Sequence, residues 1–372
     1  MQFIDLKTQQ SKIRLGIDSR FAKVLDHGQY IMGPEVYELE KKLAQYVGVK
    51  HCISCSSGTD ALLILLMSKN IGPGDAVFTT PFTYIATSEV ITLLGATPIF
   101  VDIYKSTYNL NPSELEKSIS YAKQKNLSPK AIISVDLFGL PARYRLINKF
   151  AKEHNLFLIE DSAQGFGGSI KKIKSGSFGD ASTTSFFPAK PLGCYGDGGA
   201  MFTDSDSIAE IAVSIRNHGA GEDKYDNVRL GLNGRLDTLQ ACVLLEKLKI
   251  FDHELVLREK IAQFYSSNIS DKYITPYIPK NYQSSWAQYS IMLPKSINRK
   301  MLINELKKNN IPCMVYYSIP LHLQKVFFPL NYKQGDFPIA EKVSSQIISL
   351  PMHPYMDTQN QSSIINVLNN FK

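Results

Sequence analysis

The stretch that decides the fold is residues 156–164, which read Leu-Phe-Leu-Ile-Glu-Asp-Ser-Ala-Gln. Four apolar residues run directly into two acids, a pattern typical of a buried strand that ends at a polar edge of a sheet. A carboxylate is costly to bury at such a place unless a cation lies against it. Asp161 therefore predicts a positively charged partner, either an arginine in a structural ion pair or a protonated nitrogen of a ligand.

Short apolar runs precede this stretch, and helical patterns separate them. The strand-like runs are 76–80, 97–103 and 131–137, and the helical patterns are 60–70, 85–94, 113–126 and 144–155. Strands that alternate with helices of this length predict crossover connections and an α/β fold with a mostly parallel central sheet. Ligands bind such sheets outside the carboxyl ends of the strands. The residues that directly follow each apolar run are therefore the candidates for a functional site.

The last third of the chain shows a different pattern. The predicted elements are helices at 236–251 and 253–268, strands at 286–293 and 313–317, and helices near 298–309, 336–347 and 358–370. Strands and helices mixed in this way predict an α+β unit. We therefore predict a large α/β domain over residues 1–250 and a smaller C-terminal α+β domain over residues 251–372.

A lysine follows the β-rich run at 183–187. Lys190 lies between two prolines and ahead of four glycines found between positions 193 and 199. A stiff, apolar and glycine-lined environment lowers the pKa of an amine by desolvation, which makes the amine a competent nucleophile toward an aldehyde. The alternative is an ordinary exposed loop lysine.

Small polar residues at 56–60, Ser-Ser-Gly-Thr-Asp, lie between the run 52–55 and a strongly apolar helical pattern. Backbone N–H groups at such a strand-to-helix turn favour an anion, although the same residues also serve as ordinary helix N-caps. An anion cradle, a carboxylate that needs a cation, and a lysine able to form a Schiff base are the counterparts of pyridoxal 5'-phosphate. Residues 165–170 lack the third glycine of a dinucleotide fingerprint.

Composition excludes several other classes of protein. The chain has 372 residues, a net charge of +7 and five cysteines. The basic residues are spread over solvated stretches such as 117–130 and 171–174, which could at most attract a nucleotide diphosphate, so no nucleic-acid partner is predicted. The longest apolar run, 61–67, is too short to span a membrane, and we expect a cytoplasmic protein. Cys52 and Cys55 have no second ligand pair, so no metal is predicted; a redox pair is the alternative to two buried strand residues.

These segments together resemble the DegT/DnrJ/EryC1/StrS family of sugar aminotransferases. The resemblance rests on 160–164, on the Ser-to-Lys spacing at 185–190, and on Gly-Leu-Asn-Gly-Arg-Leu-Asp at 231–237. It implies a fold-type-I, pyridoxal-phosphate-dependent aminotransferase. Lys190 would carry the cofactor and move the proton during transfer, and Asp161 would keep the pyridine nitrogen protonated.

The resemblance implies further cofactor contacts. Gln164 would bond the phenolic oxygen of the ring, and Tyr84 would stack on the ring face. Gly58, Thr59 and Ser185 would bind the phosphate. Asn233 would reach the cofactor phosphate of the neighbouring subunit, which implies a homodimer with shared active sites.

The subgroup that these segments resemble most acts on UDP-2-acetamido-2-deoxy-3-oxo-glucuronate. The resemblance implies L-glutamate as the amino donor. The implied product is a 3-amino sugar for a surface polysaccharide such as O-antigen. In that subgroup Arg235 faces the sugar carboxylate, a role that suits a guanidinium fork; a local salt bridge at the helix start is the alternative. The other implied sugar contacts are Gly33, Tyr316, Tyr317 and His322. The family often has histidine and proline where this chain has Tyr316 and Ser318.

Three other functions stay open from the sequence. One is an aminotransferase for a dTDP- or UDP-linked 3- or 4-keto-6-deoxy sugar. Another is a dehydratase of the same family, although those enzymes have histidine where this chain has Lys190. The third is a non-catalytic regulatory homologue that binds pyridoxal phosphate.

Overall fold

A computed structural model describes residues 1–223 and 225–371. The strands are β1 (His51–Cys55), β2 (Asp75–Thr79), β3 (Thr97–Phe100), β4 (Ser128–Val135), β5 (Phe157–Asp161), β6 (Ser169–Ile170), β7 (Ile173–Lys174), β8 (Ala181–Ser185), β9 (Gly199–Thr203), β10 (Tyr282–Gln283), β11 (Tyr289–Met292) and β12 (Ile347–Leu350). The α-helices are α1 (Leu6–His27), α2 (Pro34–Val47), α3 (Gly58–Ser68), α4 (Ala86–Leu93), α5 (Leu115–Gln124), α6 (Tyr144–Glu153), α7 (Asp206–Arg216), α8 (Thr238–Asn268), α9 (Arg299–Lys308), α10 (Pro338–Gln346) and α11 (Thr358–Asn370).

The central sheet has seven strands in the order β1-β9-β8-β5-β4-β2-β3. Strands β3, β2, β4, β5 and β8 pair in parallel, and β9 pairs antiparallel with both β8 and β1. The predicted α/β fold with a mostly parallel sheet is therefore confirmed. Helices α3, α4 and α7 pack on one face, and α5 and α6 pack on the other. Because helices cover both faces of the sheet, the strands are buried on both sides and appear as continuous apolar runs in the sequence.

The register of the sheet aligns the ends of its middle strands. Asp161 at the end of β5 pairs with Val135 on β4 and with Thr183 on β8. The residues that follow these strands, and those between β1 and α3, consequently meet at one edge of the sheet. This is the edge at which the sequence predicts the functional site.

The two helical patterns at 236–251 and 253–268 form one continuous helix, α8, so their separation was wrong. Asp252 and His253 interrupt the apolar pattern, but neither is a helix breaker such as proline or glycine. The helix changes partners along its length instead. Leu244 and Leu245 pack with α2, whereas Ile261 and Tyr265 belong to the C-terminal core. The predicted domain boundary at residue 250 falls inside this helix.

The C-terminal part places the antiparallel pair β11–β12 against α9 and α11. The predicted strand at 313–317 is wrong. Only Met314 makes a bridge there, through two backbone hydrogen bonds with Ser349. Pro312 has no N–H to give to a ladder, and the chain after Met314 leaves the sheet toward the edge where the site lies.

The cysteines do not form a redox pair, and the helices of the described residues do not match a membrane span. All five cysteines are unpaired, and Cys52 and Cys55 lie buried in β1. Burial raises the pKa of the Cys55 thiol to about 12, which removes the thiolate that a redox pair needs. Among the helices of residues 1–223 and 225–371, none combines the length and apolar character that crossing a membrane requires.

Candidate active site

Three sequence-predicted segments meet at the carboxyl edge of the sheet. The start of α3 contacts the end of β8, because a Cβ atom added to Gly58 would lie 2.7 Å from the Cβ atom of Ser185. Lys190, five residues beyond Ser185, is close enough to Asp161 for the two charges to interact. The structure thus brings the predicted anion cradle, carboxylate and lysine into one site.

The anion cradle is the first turn of α3. Ser57 is the N-cap, and its Oγ accepts a hydrogen bond from Asp60 N at 3.0 Å. The N–H groups of a helix's first turn have no partners within the helix, so those of Gly58 and Thr59 can bind an anion. Glycine is required at position 58 because any side chain would collide with Ser185. The N-cap and the cradle are therefore compatible, and the Ser185 hydroxyl lies next to the N–H groups that would hold a phosphate.

Asp161 is buried, and among the described residues its carboxylate has only neutral hydrogen-bond donors. Ala163 N donates to Oδ1 at 3.1 Å, and Thr87 Oγ1 donates to Oδ2 at 3.0 Å. Burial raises the pKa of Asp161, and the Ala163 N–H, the Lys190 charge and the Thr87 hydroxyl oppose that rise. No ion pair to Asp161 within 4.0 Å is found in the part of the chain that the structure describes. The geometry therefore favours a ligand cation over the structural ion pair.

Thr87 is a site residue that the sequence analysis missed. It lies on the first turn of α4, with its hydroxyl aimed at a carboxylate 74 positions further along the chain. The polar stretch that follows the run 76–80 is the signal that could have indicated it, since β2 ends at the same edge of the sheet. Periodicity alone could not show that the hydroxyl meets Asp161.

Gln164 is held in one orientation by hydrogen bonds at both ends of its amide. Phe138 N donates to Oε1 at 2.8 Å, and Nε2 donates to the hydroxyl of Tyr317 at 3.2 Å. The Tyr317 ring lies 6.1 Å from that of Phe82 and 6.5 Å from that of Tyr84. Tyr84 is exposed, so its side chain is accessible to a ligand.

Lys190 is half-buried on the loop after β8, where its backbone N–H donates to Phe187 O at 2.8 Å. Burial lowers the pKa of its amine, and the charge of Asp161 works in the opposite direction. A lowered pKa increases the neutral, nucleophilic fraction of the amine at neutral pH. The alternative of an ordinary exposed lysine does not match this environment.

Arg235 lies beside the cradle, on a segment joined to it by a hydrogen bond from Ser56 N to Gly234 O at 2.9 Å. Its Nη2 donates to Asn233 Oδ1 at 2.6 Å, and its Nε is buried without a hydrogen-bond partner among the described residues. The alternative of a local salt bridge predicts a contact with Asp237, and no ion pair of Arg235 is found in residues 1–223 and 225–371. The guanidinium therefore keeps donors for an acidic ligand group.

The remaining predicted sugar contacts differ in their placement. Gly33 N donates to Thr238 Oγ1 at 3.0 Å just before α2, and Tyr316 is half-buried beside the ring of Phe3. His322 is only 1% exposed, and its Nε2 lies 3.1 Å from Glu341 Oε1. The expectation that His322 contacts the sugar is therefore not supported. His322 lies on the short 3₁₀ turn that follows Pro320, in which Leu321 is also buried.

A cradle for phosphate, a buried carboxylate for a pyridinium and a desolvated lysine for an aldehyde define a pyridoxal-phosphate-dependent aminotransferase. The chain belongs to the DegT/DnrJ/EryC1/StrS aminotransferase family, whose sequence profile matches residues 12–369. It is an enzyme and a sugar aminotransferase of this family.

Two curated relatives match over nearly their whole length. The UDP-2-acetamido-2-deoxy-3-oxo-D-glucuronate aminotransferase of Pseudomonas aeruginosa is 46% identical, with 100% of both chains covered. The dTDP-3-amino-3,6-dideoxy-alpha-D-galactopyranose transaminase of Aneurinibacillus thermoaerophilus is 35% identical, with 99% of both chains covered.

Two solved structures confirm the fold. A DegT DnrJ EryC1 StrS aminotransferase from Brucella abortus superposes with a TM-score of 0.95 at 48% identity, covering 99% of this chain and 98% of that one. NtdA from Bacillus subtilis, solved with the bound cofactor PMP, gives a TM-score of 0.88 at 27% identity, covering 98% of this chain and 82% of that one.

Proposed function

We propose that this enzyme moves an amino group from L-glutamate to a keto-sugar linked to a nucleotide diphosphate. The substrate that we propose is UDP-2-acetamido-2-deoxy-3-oxo-glucuronate, and the product would be a 3-amino sugar for a surface polysaccharide. The observation that carries the chemistry is the convergence of Gly58, Asp161, Gln164 and Lys190 at one edge of the sheet. The substrate is supported by the full-length similarity to the Pseudomonas aeruginosa enzyme and by the lack of an ion pair for Arg235 among the described residues.

Pyridoxal phosphate, when bound, supplies an aldehyde and an electron-accepting ring that can hold the amino group between two half-reactions. The neutral amine of Lys190 would take the proton from the Cα atom of glutamate, and water would supply the keto oxygen of the 2-oxoglutarate that leaves while the amino group stays with the cofactor. In the second half-reaction Lys190 returns a proton to C3 of the sugar, whose ketone oxygen leaves as water. Asp161 stays ionised beside the pyridine nitrogen, Gln164 orients the ring through its Nε2 donor, and Gly58, Thr59 and Ser185 hold the phosphate.

Arg235 is the group that we assign to the acid function of the sugar. A guanidinium binds a carboxylate through two parallel hydrogen bonds, which gives a directional preference for a uronate over a neutral 6-deoxy sugar. Tyr316, Tyr317 and Gly33 are proposed to line the remaining sugar site. His322 is proposed to support that wall from behind through its contact with Glu341.

A homodimer is part of this proposal. Leu230 is 88% exposed, and Tyr30, Ile31 and Val228 also present apolar side chains to solvent. Apolar surface of this kind is typical of an interface between subunits. Asn233 lies exposed three residues from Leu230, where it could reach the phosphate of a neighbouring subunit. The unpaired state of all five cysteines supports a location in the reducing cytoplasm.

The substrate proposal is tested by a two-step absorbance experiment. The purified protein is loaded with pyridoxal phosphate and given L-glutamate, which should abolish the visible band as the cofactor accepts the amine. The 3-oxo-glucuronate nucleotide should restore the band and give a 3-amino sugar detectable by mass spectrometry. Arg235→Met should lower kcat/KM for this substrate by about 100-fold, as expected for losing a charge-assisted bidentate pair, and should leave the glutamate half-reaction unchanged.

The second candidate substrate is a dTDP- or UDP-linked 3- or 4-keto-6-deoxy sugar. It is favoured by the similarity to the Aneurinibacillus thermoaerophilus transaminase and by Tyr316 and Ser318, which depart from the family pattern beside the sugar. Restoration of the band by such a sugar alone, with no effect of Arg235→Met, would move the substrate while keeping the aminotransferase chemistry.

A further inference from the structure

A pair of buried acids lies directly behind the cofactor site. Asp136 follows β4 and Glu160 lies on β5, and both side chains are completely buried. Their carboxyl groups are within hydrogen-bonding reach of each other, and burial raises the pKa of both. Neither acid has an ion-pair partner in residues 1–223 and 225–371.

The pair holds the loops behind the site through neutral donors. Asp136 Oδ1 accepts from Ala142 N at 2.9 Å and from Tyr144 OH at 2.7 Å, and its Oδ2 accepts from Ser175 Oγ at 2.8 Å. Glu160 accepts from the backbone N–H groups of residues 176 and 178 at 2.7 and 2.8 Å. Every carboxylate oxygen of the pair is therefore used to fix a loop.

Asp136 also opens the turn that orients Gln164. Within this turn Phe138 adopts a φ of +59°, a conformation that a bulky side chain rarely takes. Such a residue persists only where its surroundings hold it, and Asp136 closes the loop that contains it by accepting a hydrogen bond from Ala142 N. The Phe138 N–H then meets Gln164 Oε1 at 2.8 Å. On the other side, a Cβ atom on Gly165 would lie 2.5 Å from Asp136 Oδ2, so the acid also packs against the residue after Gln164.

We propose that Asp136, together with Glu160, is a positioning residue that acts through Gln164. The acid pair fixes the turn at 137–139, the turn fixes the amide of Gln164, and the amide directs its Nε2 donor at the phenolic oxygen of the cofactor ring. The inference rests on the role proposed above for Gln164. Asp136 does not contact the cofactor in this proposal. It nevertheless affects the Kd for pyridoxal phosphate and the pKa that governs the visible absorbance.

The test is a double-mutant cycle on cofactor binding. Pyridoxal phosphate is titrated into the apoprotein of the wild type, Asp136→Ala, Gln164→Ala and the double variant, and the Kd is measured by visible absorbance. Asp136→Ala and Gln164→Ala should each weaken binding about tenfold, the effect of one lost hydrogen bond to an anionic oxygen, and the double variant should be no weaker than Gln164→Ala alone. Both single variants should shift the pKa that governs the visible absorbance in the same direction.

A merely structural role would lower the Tm of the apoprotein without moving that spectral pKa. Because Asp136→Ala could fail to fold, Tyr144→Phe serves as a milder variant that removes one of the three donors to Asp136 and keeps its ring stacked on Phe178. It should produce a smaller shift of the same sign. Additive losses in the double variant, or an unchanged spectral pKa in Asp136→Ala and Tyr144→Phe, would overturn the proposal. A Gln164→Ala protein identical to the wild type would instead remove the role of Gln164 itself, and that of Asp136 with it.

Discussion

Replacing Thr87 by valine tests whether the Thr87 hydroxyl keeps the buried carboxylate of Asp161 ionised, so that it can bind a cation. In the part of the chain that the structure describes, that carboxylate accepts two hydrogen bonds, one from the Thr87 hydroxyl and one from Ala163 N. Thr87 is 1% exposed, so water cannot take the place of the lost hydroxyl. Valine keeps the shape of the side chain and removes only the donor.

The size of the effect follows from the chemistry of this contact. A hydrogen bond to a charged acceptor contributes about 1.5–3 kcal/mol, and Thr83, whose Oγ1 lies 3.3 Å from that of Thr87, offers no donor in direct contact with Asp161. Loss of this hydrogen bond raises the pKa of Asp161 further, in the same direction as the rise that burial already causes. The same loss weakens binding of a pyridinium ligand about 30-fold.

The assay is a titration of apoprotein with pyridoxal phosphate, followed by the visible absorbance of the bound cofactor. Ser88→Ala is a matched control, because Ser88 is buried on the same helix and its hydroxyl has no hydrogen-bond partner in the described structure. Thr87→Ser should restore most of the affinity, since it returns the donor. A Thr87→Val protein that binds the cofactor within threefold of the wild type would refute the reasoning that this hydroxyl keeps Asp161 ionised.

Three further predictions concern other parts of the molecule. Gly58→Ala should weaken cofactor binding at least 100-fold while the apoprotein keeps its fold, because the new methyl group meets Ser185 at 2.7 Å; equilibrium dialysis and circular dichroism measure the two effects. Leu230→Asp should give a monomer by light scattering, and that monomer should bind the cofactor more weakly because Asn233 no longer reaches a neighbour; a dimer with native affinity would contradict the proposed interface. Burial lowers the pKa of His353 to about 4, so the unfolded chain binds a proton that the folded one rejects, and the free energy of unfolding should fall by up to about 3 kcal/mol as pH drops from about 6.5 to 4. Urea titrations of His353→Gln should show a smaller loss over that window.

The predicted cofactor residues come together in the structure because they directly follow buried strands. Asp161 ends β5, the cradle lies between β1 and α3, and the parallel register places both at one edge. Each of these positions can be found from local apolar runs and a general rule about sheets. Lys190 adds a composition signal, since prolines and glycines around a lysine are unusual on a solvated surface.

The parts that the sequence did not predict depend on contacts between distant segments. Thr87 and Asp136 act on residues far from them in the chain, and no local pattern reports such a pairing. The same holds for α8, whose polar residues at 252 and 253 look like a break until the change of packing partners is known. His322 is a similar case, since a histidine near a predicted sugar loop suggests a contact, and only the tertiary structure shows its contact with Glu341.

This division has a physical reason that bears on substrate choice. The cofactor is held by strand ends and a helix start within a doubly covered sheet, where small changes in position are costly. The proposed sugar contacts lie instead on segments without regular structure, such as Tyr316 and Tyr317 after the single bridge at Met314, and Arg235 before α8. Loops of this kind can change residues without disturbing the sheet. A rigid cofactor site with a replaceable substrate wall explains how relatives named for different sugars share one fold, and it places the decisive test of the substrate on Arg235 and Tyr316 instead of on the residues that hold the cofactor.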